Sequence, residues 1–177
     1  MSDYDNRCIH RYELARRATS KWSAPGKPWD LSVAPNSNLL VTCQRQCRGE
    51  PDKLVELSAD SGECLREIAL QLDIVYLHDS VQLTTGQLVI CHGALGSLHR
   101  VCAVGDDGKV TRSYGGQRGS DAGQLSWPRY LAVDEDSQII FVADECNGRV
   151  VLLSPTLEFV RYVIEGLSWP RRLHSEP

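Results

Sequence analysis

The chain of 177 residues and 19.7 kDa carries 19 Lys and Arg against 23 Asp and Glu, a net charge of −4. With 42% hydrophobic and 24% charged residues, it has the composition of a soluble globular domain, or part of a larger one, rather than of a disordered chain. No run of about 18 apolar residues occurs, which excludes a membrane-spanning helix. The acidic balance counts against a protein that coats nucleic acid over its whole surface.

Residues 1–26 read as the outer half of a sheet unit, with a third strand over Arg11 to Leu14 and a fourth over Thr19 to Trp22. Charged residues from Arg7 to Arg17 interrupt every apolar run here, so no secretory signal is written. Seven cysteines without a C-x-x-C pair argue against a redox motif or a zinc knuckle. They point to reduced thiols in a cytoplasmic setting.

From Pro28 onward the chain repeats itself. Pro28 to Cys43, Leu77 to Cys91 and Trp127 to Asp144 align, and Leu31/Val33, Val81/Leu83 and Leu131/Val133 recur 50 residues apart. Each copy continues with a second apolar run: Leu39-Leu40-Val41, Leu88-Val89-Ile90 and Ile140-Phe141-Val142. Third strands are expected over Lys53 to Leu57, Arg100 to Val104 and Arg149 to Leu153. Fourth strands are expected over Leu65 to Leu70, Val110 to Tyr114 and Phe159 to Ile164. Turn residues such as Asn36-Ser37-Asn38 and Asp60-Ser61-Gly62 divide them. Four short strands per copy, at a period of about 40–50 residues, predict an all-β fold, a partial β-propeller of about three and a half four-stranded antiparallel blades. The expected units are 1–26, a truncated blade; 27–70, 71–116 and 117–166, full blades; and 167–177, the first strand of a further blade, opening at Trp169-Pro170 and reaching Leu173.

The third copy resembles the NHL repeat, on Pro128, Leu131-Ala132-Val133-Asp134, Ile140-Phe141-Val142-Ala143-Asp144 and Asn147-Gly148-Arg149-Val150. The other copies are degenerate: Cys43 and Cys91 replace the Asp, and Lys53 stands for the Arg. Asp5-Asn6-Arg7 looks like the end of one more such element. The resemblance implies an NHL-like propeller that binds protein or RNA on one loop face, as in the recognition domains of tripartite-motif ubiquitin ligases. On that basis the expected function is a non-catalytic recognition module, with no cofactor, no membrane contact, and the remaining blades of a longer chain or a second arc as partners. The alternative is a metal-dependent propeller lyase or hydrolase with a central-channel site.

Seven residues are candidates for the ligand face, on the loops joining blades or those between second and third strands: Arg45, Arg48, His92, Arg118, Arg129, Asp144 and Arg171. Asp144 and Arg149 are spaced to meet as a bidentate bridge across a tight loop, and the recurrence of Arg100 and Lys53 at that place reads as loop fixing rather than ligand contact. The glycine-rich stretch 115–123 is followed by a strand, so it reads as a connection between blades and not a phosphate cradle. Residues 1–27 carry a net +3 and residues 28–177 a net −7, which reads as solvated charge. Trp22, Trp29, Trp127 and Trp169 stand at blade entrances, where packing between blades is expected. His10, His78, His92, His99 and His174 occupy non-equivalent places, so no central His₃ metal site is expected.

Overall fold

A computed structural model describes residues 1–47, 49–94 and 98–171. Among the described residues, fifteen strands form four antiparallel meanders, and within each sheet every strand pairs with the next in sequence. The first sheet has three strands, β1 (Ser2–Asp3), β2 (Cys8–Glu13) and β3 (Ala18–Ser23). The second holds β4 (Lys27–Val33), β5 (Leu39–Gln44), β6 (Lys53–Leu57) and β7 (Cys64–Ala69). The third holds β8 (Leu77–Gln82), β9 (Leu88–His92), β10 (His99–Val104) and β11 (Val110–Gly116). The fourth holds β12 (Pro128–Val133), β13 (Ile140–Asp144), β14 (Arg149–Leu153) and β15 (Phe159–Ile164). A 3₁₀ turn, Glu145–Asn147, links β13 to β14. The fold is a partial propeller. The neighbours β4, β8 and β12 are the innermost strands of successive blades.

Apolar side chains on both faces of the middle strands hold the blades together. On β9, Leu88 and Ile90 point to the second sheet and pack with Leu40, Leu54 and Ile68. The alternate residues Val89 and Cys91 pack with Leu131, Ile140, Val142 and Val151 of the fourth sheet. The period of two thus presents one apolar row to each neighbour, as a strand buried on both sides requires. Between the first two sheets, Ile9 and Trp22 meet Val41, Cys43, Val55 and Leu57. Each fully buried Leu, Ile or Val contributes about 1.5–3 kcal/mol through lost water contact.

Turn chemistry sets the spacing between blades. Gly62 and Gly108 occupy equivalent turns with φ of 73° and 75°. A Cβ at Gly62 would run into the Trp22 ring, and one at Gly108 into the Ala69 carbonyl. Only glycine both takes that backbone conformation freely and lets the turn touch the preceding sheet.

The end sheets keep apolar residues exposed, with Tyr12 and Leu14 at one end and Phe159, Val160 and Ile164 at the other. The strand expected over 167–177 falls largely on residues 172–177, outside the described residues; 167–171 form no strand. All seven cysteines are free: Cys8, Cys43, Cys91 and Cys102 are buried, and Cys47, Cys64 and Cys146 exposed. No helix of the described residues is long and apolar enough to cross a membrane.

Candidate functional site

The innermost strands share one irregularity. The β4–β5 register slips between Pro28 and Asp30, the β8–β9 register between Leu77 and Asp79, and the β12–β13 register between Pro128 and Tyr130. A bulge adds an unpaired residue and re-aims its side chain. The extra residues are Trp29, His78 and Arg129, one per blade, all at the end where the inter-blade connections arrive. They converge. The Arg129 guanidinium lies 5.6 Å from the Trp29 ring centre, although a whole sheet separates their strands. It also lies 5.8 Å from Trp127. A chain of rings runs through the same place: Tyr4 to Trp29 at 5.6 Å, Trp29 to His78 at 6.4 Å, His78 to Trp127 at 5.9 Å and Trp127 to His99 at 6.0 Å.

The polar groups behind these rings are specified closely. His78 Nε2 donates to Gly93 O at 3.0 Å, and its buried Nδ1 has no hydrogen-bond partner among the described residues. Burial, reinforced by the Arg129 charge, holds the His78 imidazole down at about 4, so it is neutral at physiological pH. His99 donates from Nε2 to Ala94 O at 3.1 Å and accepts the Trp127 N–H at Nδ1, 3.0 Å away. Burial lowers its pKa as well. Asp79 accepts the N–H groups of Ser80 and Leu131 at 2.6 and 2.8 Å, tying β8 to β12. Burial, with Asp30 nearby, pushes its carboxyl up to about 8. Arg129 Nε faces Glu145 Oε2 at 3.4 Å, and Arg171 Nη2 reaches the other oxygen at 3.6 Å. Beside Tyr4, a cleft of about 420 Å³ opens between Gln44, Arg45, Asp52 and Tyr76. A larger one, about 630 Å³, lies at the opposite end among Val33, Val81, Val133 and Asp136.

The residues singled out from sequence fall into separate groups. Arg129 and Arg171 meet on Glu145. Arg118 donates to Ser126 Oγ at 2.9 Å, and Ser126 in turn donates its N–H to Asp144 at 2.6 Å. Arg45 pairs with Asp52 at 3.5 Å. His92 is buried, accepts from Arg100 Nε at 3.3 Å, and is held down at about 3 by burial and the Arg100 charge. Arg48 lies outside the described residues. Asp144 is fully buried, and Arg149 meets it through Nε alone at 2.8 Å, not through a bidentate fork. The other guanidinium nitrogens bind Ser120 O and Gln124 O at 3.0 and 2.8 Å, pinning the connection 117–126. The pairing does not recur: Lys53 meets Glu67 and Arg100 meets Asp73, each at 2.6 Å.

Trp29, His78, Trp127 and Glu145 escaped sequence reasoning as site residues. The signal was present, since Trp29, His78 and Arg129 each follow an aligned Pro or Leu at the start of an inner strand.

No protein-family model matches the sequence, and no curated protein matches it. Solved structures match in fold. A protein of unknown function from Bacteroides caccae is 18% identical with a TM-score of 0.69, over 92% of this chain and 57% of that one. Virginiamycin B lyase from Staphylococcus aureus is 12% identical with a TM-score of 0.62, over 89% and 48%. The periplasmic gluconolactonase of Pseudomonas aeruginosa is 12% identical with a TM-score of 0.51, over 94% and 65%. The chain therefore spans between about half and two thirds of the length of these structures. They correct the expectation of a protein without enzymatic activity. Propellers of this shape include a lyase and a lactonase, so the fold is no ground for excluding catalysis. They lend nothing to RNA binding, a tripartite-motif setting or a ubiquitin ligase.

Proposed function

We propose that this arc is part of a propeller hydrolase or lyase whose loop end, around the axis, takes a cyclic, oxygen-rich substrate of the sugar-lactone class. The observation that carries this reading is the convergence of Trp29 and Arg129 from bulges two blades apart, with the neutral His78 wedged between the tryptophans. Trp29 is 37% exposed and offers a flat face for the C–H groups of a sugar ring. Arg129 offers charge-assisted donors to a carbonyl oxygen. When water adds to a lactone carbonyl, negative charge grows on that oxygen, and a fixed guanidinium stabilises it. The ring oxygen then leaves, takes up a proton, and the hydroxy acid is released. Glu145 balances and orients Arg129, while His78 keeps the two rings apart. The name of the gluconolactonase neighbour supports the reaction class.

Among the described residues, the His, Cys and carboxylate groups close enough to share an ion are Asp3, Cys8 and His10, on β1 and β2. Further blades, in a longer chain or a second arc, would cover the exposed apolar faces of the end sheets.

The test uses glucono-1,5-lactone as the probe, with hydrolysis followed in a pH-stat. Arg129→Ala is expected to lower kcat roughly 100-fold, the scale of losing one oxyanion donor. Trp29→Ala is expected chiefly to raise KM. Equal turnover in wild type and Arg129→Ala, or no turnover and no saturable binding of the lactone by the folded protein, would overturn the reading.

A further inference from the structure

Asp3, Cys8 and His10 lie on one face of the first sheet. Asp3 stands opposite Cys8 in the β1–β2 register, and His10 follows two residues along β2. Their donor atoms converge. Cys8 Sγ is 3.4 Å from His10 Nε2, His10 Nε2 is 3.4 Å from Asp3 Oδ2, and all three lie within 4.8 Å of one another. A tetrahedral zinc ion with bonds of about 2.0–2.3 Å places its donors roughly 3.3–3.7 Å apart, close to the Cys8–His10 and His10–Asp3 separations. Asn6 fixes the carboxylate, its backbone N–H donating to Oδ1 at 3.1 Å and its side chain to Oδ2 at 3.0 Å. Such outer partners orient metal ligands.

The fourth sheet contains the same turn with a different filling. Asp144 pairs with Arg149 across it as Asp3 pairs with Cys8. Asn147 donates to Asp144 at 2.7 Å as Asn6 does to Asp3, and Gly148 and Arg7 take the same left-handed backbone, φ 60° and 52°. There the carboxylate's positive partner is a guanidinium. In the first sheet a thiol occupies the guanidinium's position and an imidazole stands beside it. The turn that elsewhere contains its own cation here presents donors for a free one. Ile9 packs into the second sheet and Arg11 donates to Asp60 O at 2.8 Å, so the alternate residues Cys8 and His10 face away from the arc.

We infer that Asp3, Cys8 and His10 bind a divalent transition-metal ion of the zinc class. The thiolate and imidazole select a borderline-soft metal over calcium or magnesium. Three protein ligands leave the fourth position to water or to a group from whatever covers this face. The bound ion ties β1 to β2 and is separate from the axial residues.

The experiment uses the full chain with cobalt(II) alone as a spectroscopic probe and zinc alone as competitor. One equivalent of cobalt should produce thiolate-to-metal absorption in the near ultraviolet and tetrahedral bands in the visible, both removed by zinc. Cys8→Ser should abolish the absorption, and His10→Gln and Asp3→Asn should each weaken zinc binding at least about tenfold. Replacing the exposed Cys47, Cys64 and Cys146 together by Ser should leave the site intact. Circular dichroism checks that each variant is folded. If Cys8→Ser does not fold, the two partly exposed positions decide. The inference is overturned if folded wild type gives no thiolate absorption, if His10→Gln and Asp3→Asn bind zinc like wild type, or if the triple Ser variant loses the signal.

Discussion

The fourth and second sheets solve one problem in two ways. In the fourth, Asp144 at the end of β13 accepts the Ser126 N–H, and Arg149 holds two carbonyls of the same connection, so the sheet pins the segment by which the chain enters it. In the second, Cys43 stands where that Asp would be. Asp52, at the far end of the loop, accepts the N–H groups of Arg45 and Leu77 at 3.0 and 2.9 Å, so this sheet pins the segment by which the chain leaves. What repeats from blade to blade is a task, a buried carboxylate tying a connection down through its backbone N–H. The position of the residue that does it moves.

The largest effect that would break this comparison is expected at Asp144. Asp144→Ala strips acceptors from Ser126 and Asn147 and leaves Arg149 buried without its counter-charge, which should lower the unfolding free energy by about 3–5 kcal/mol in a denaturant titration. A loss under about 1 kcal/mol would show that the fourth sheet does not depend on its anchor. Asp52→Ala should lose less, about 1–3 kcal/mol, because it frees backbone donors while Arg45 remains partly solvated.

The pH response sharpens the contrast between the axis and the loops. His78 and His92 sit in the folded state at about 4 and about 3, against an ordinary 6.5. Unfolding therefore takes up protons in acid, and their contribution to stability is lost as pH falls from about 6.5 through those values. Asp79 has the opposite sign. With its folded value raised from 3.8 to about 8, the unfolded chain ionises first, and stability falls as pH rises between the two. Thermal melts of Asp79→Asn should show a smaller decline from pH 5 to 8 than wild type; parallel curves would refute this. The smallest effect is expected at Lys53, whose bond to Glu67 is partly exposed. Lys53→Ala should cost under about 1 kcal/mol, and a larger loss would place this pair among the anchors.

The strands were readable in the sequence because alternating Val, Ile and Leu runs between turn residues leave little choice of structure. Lys53–Leu57, Arg149–Leu153 and Phe159–Ile164 fall where the repeat puts them. The N-terminal strands were harder. The first turn runs from Asp3 to Cys8, which pair across it, and Arg7 fills a left-handed position that glycine holds in the fourth sheet. The third strand consequently runs Cys8–Glu13, earlier than Arg11 to Leu14. The axial site was less visible still. A bulge is a slip in backbone pairing that side-chain periodicity does not record, so Trp29 and Trp127 read as packing and His78 as an isolated histidine. Asp144 stood out through its motif, yet its burial and full set of partners make it an anchor of the site's framework.

The division of the cysteines has a chemical consequence. Burial pushes the thiols of Cys43 and Cys102 up to about 12, and that of Cys91 upward as well, so these sulfurs are protonated, poor nucleophiles while the sheets stay closed. An alkylating reagent meets Cys47, Cys64 and Cys146 at once, and Cys43, Cys91 and Cys102 only when one blade parts from the next. The rate at which they become labelled is a clock, built into the chain, for how often the blades breathe.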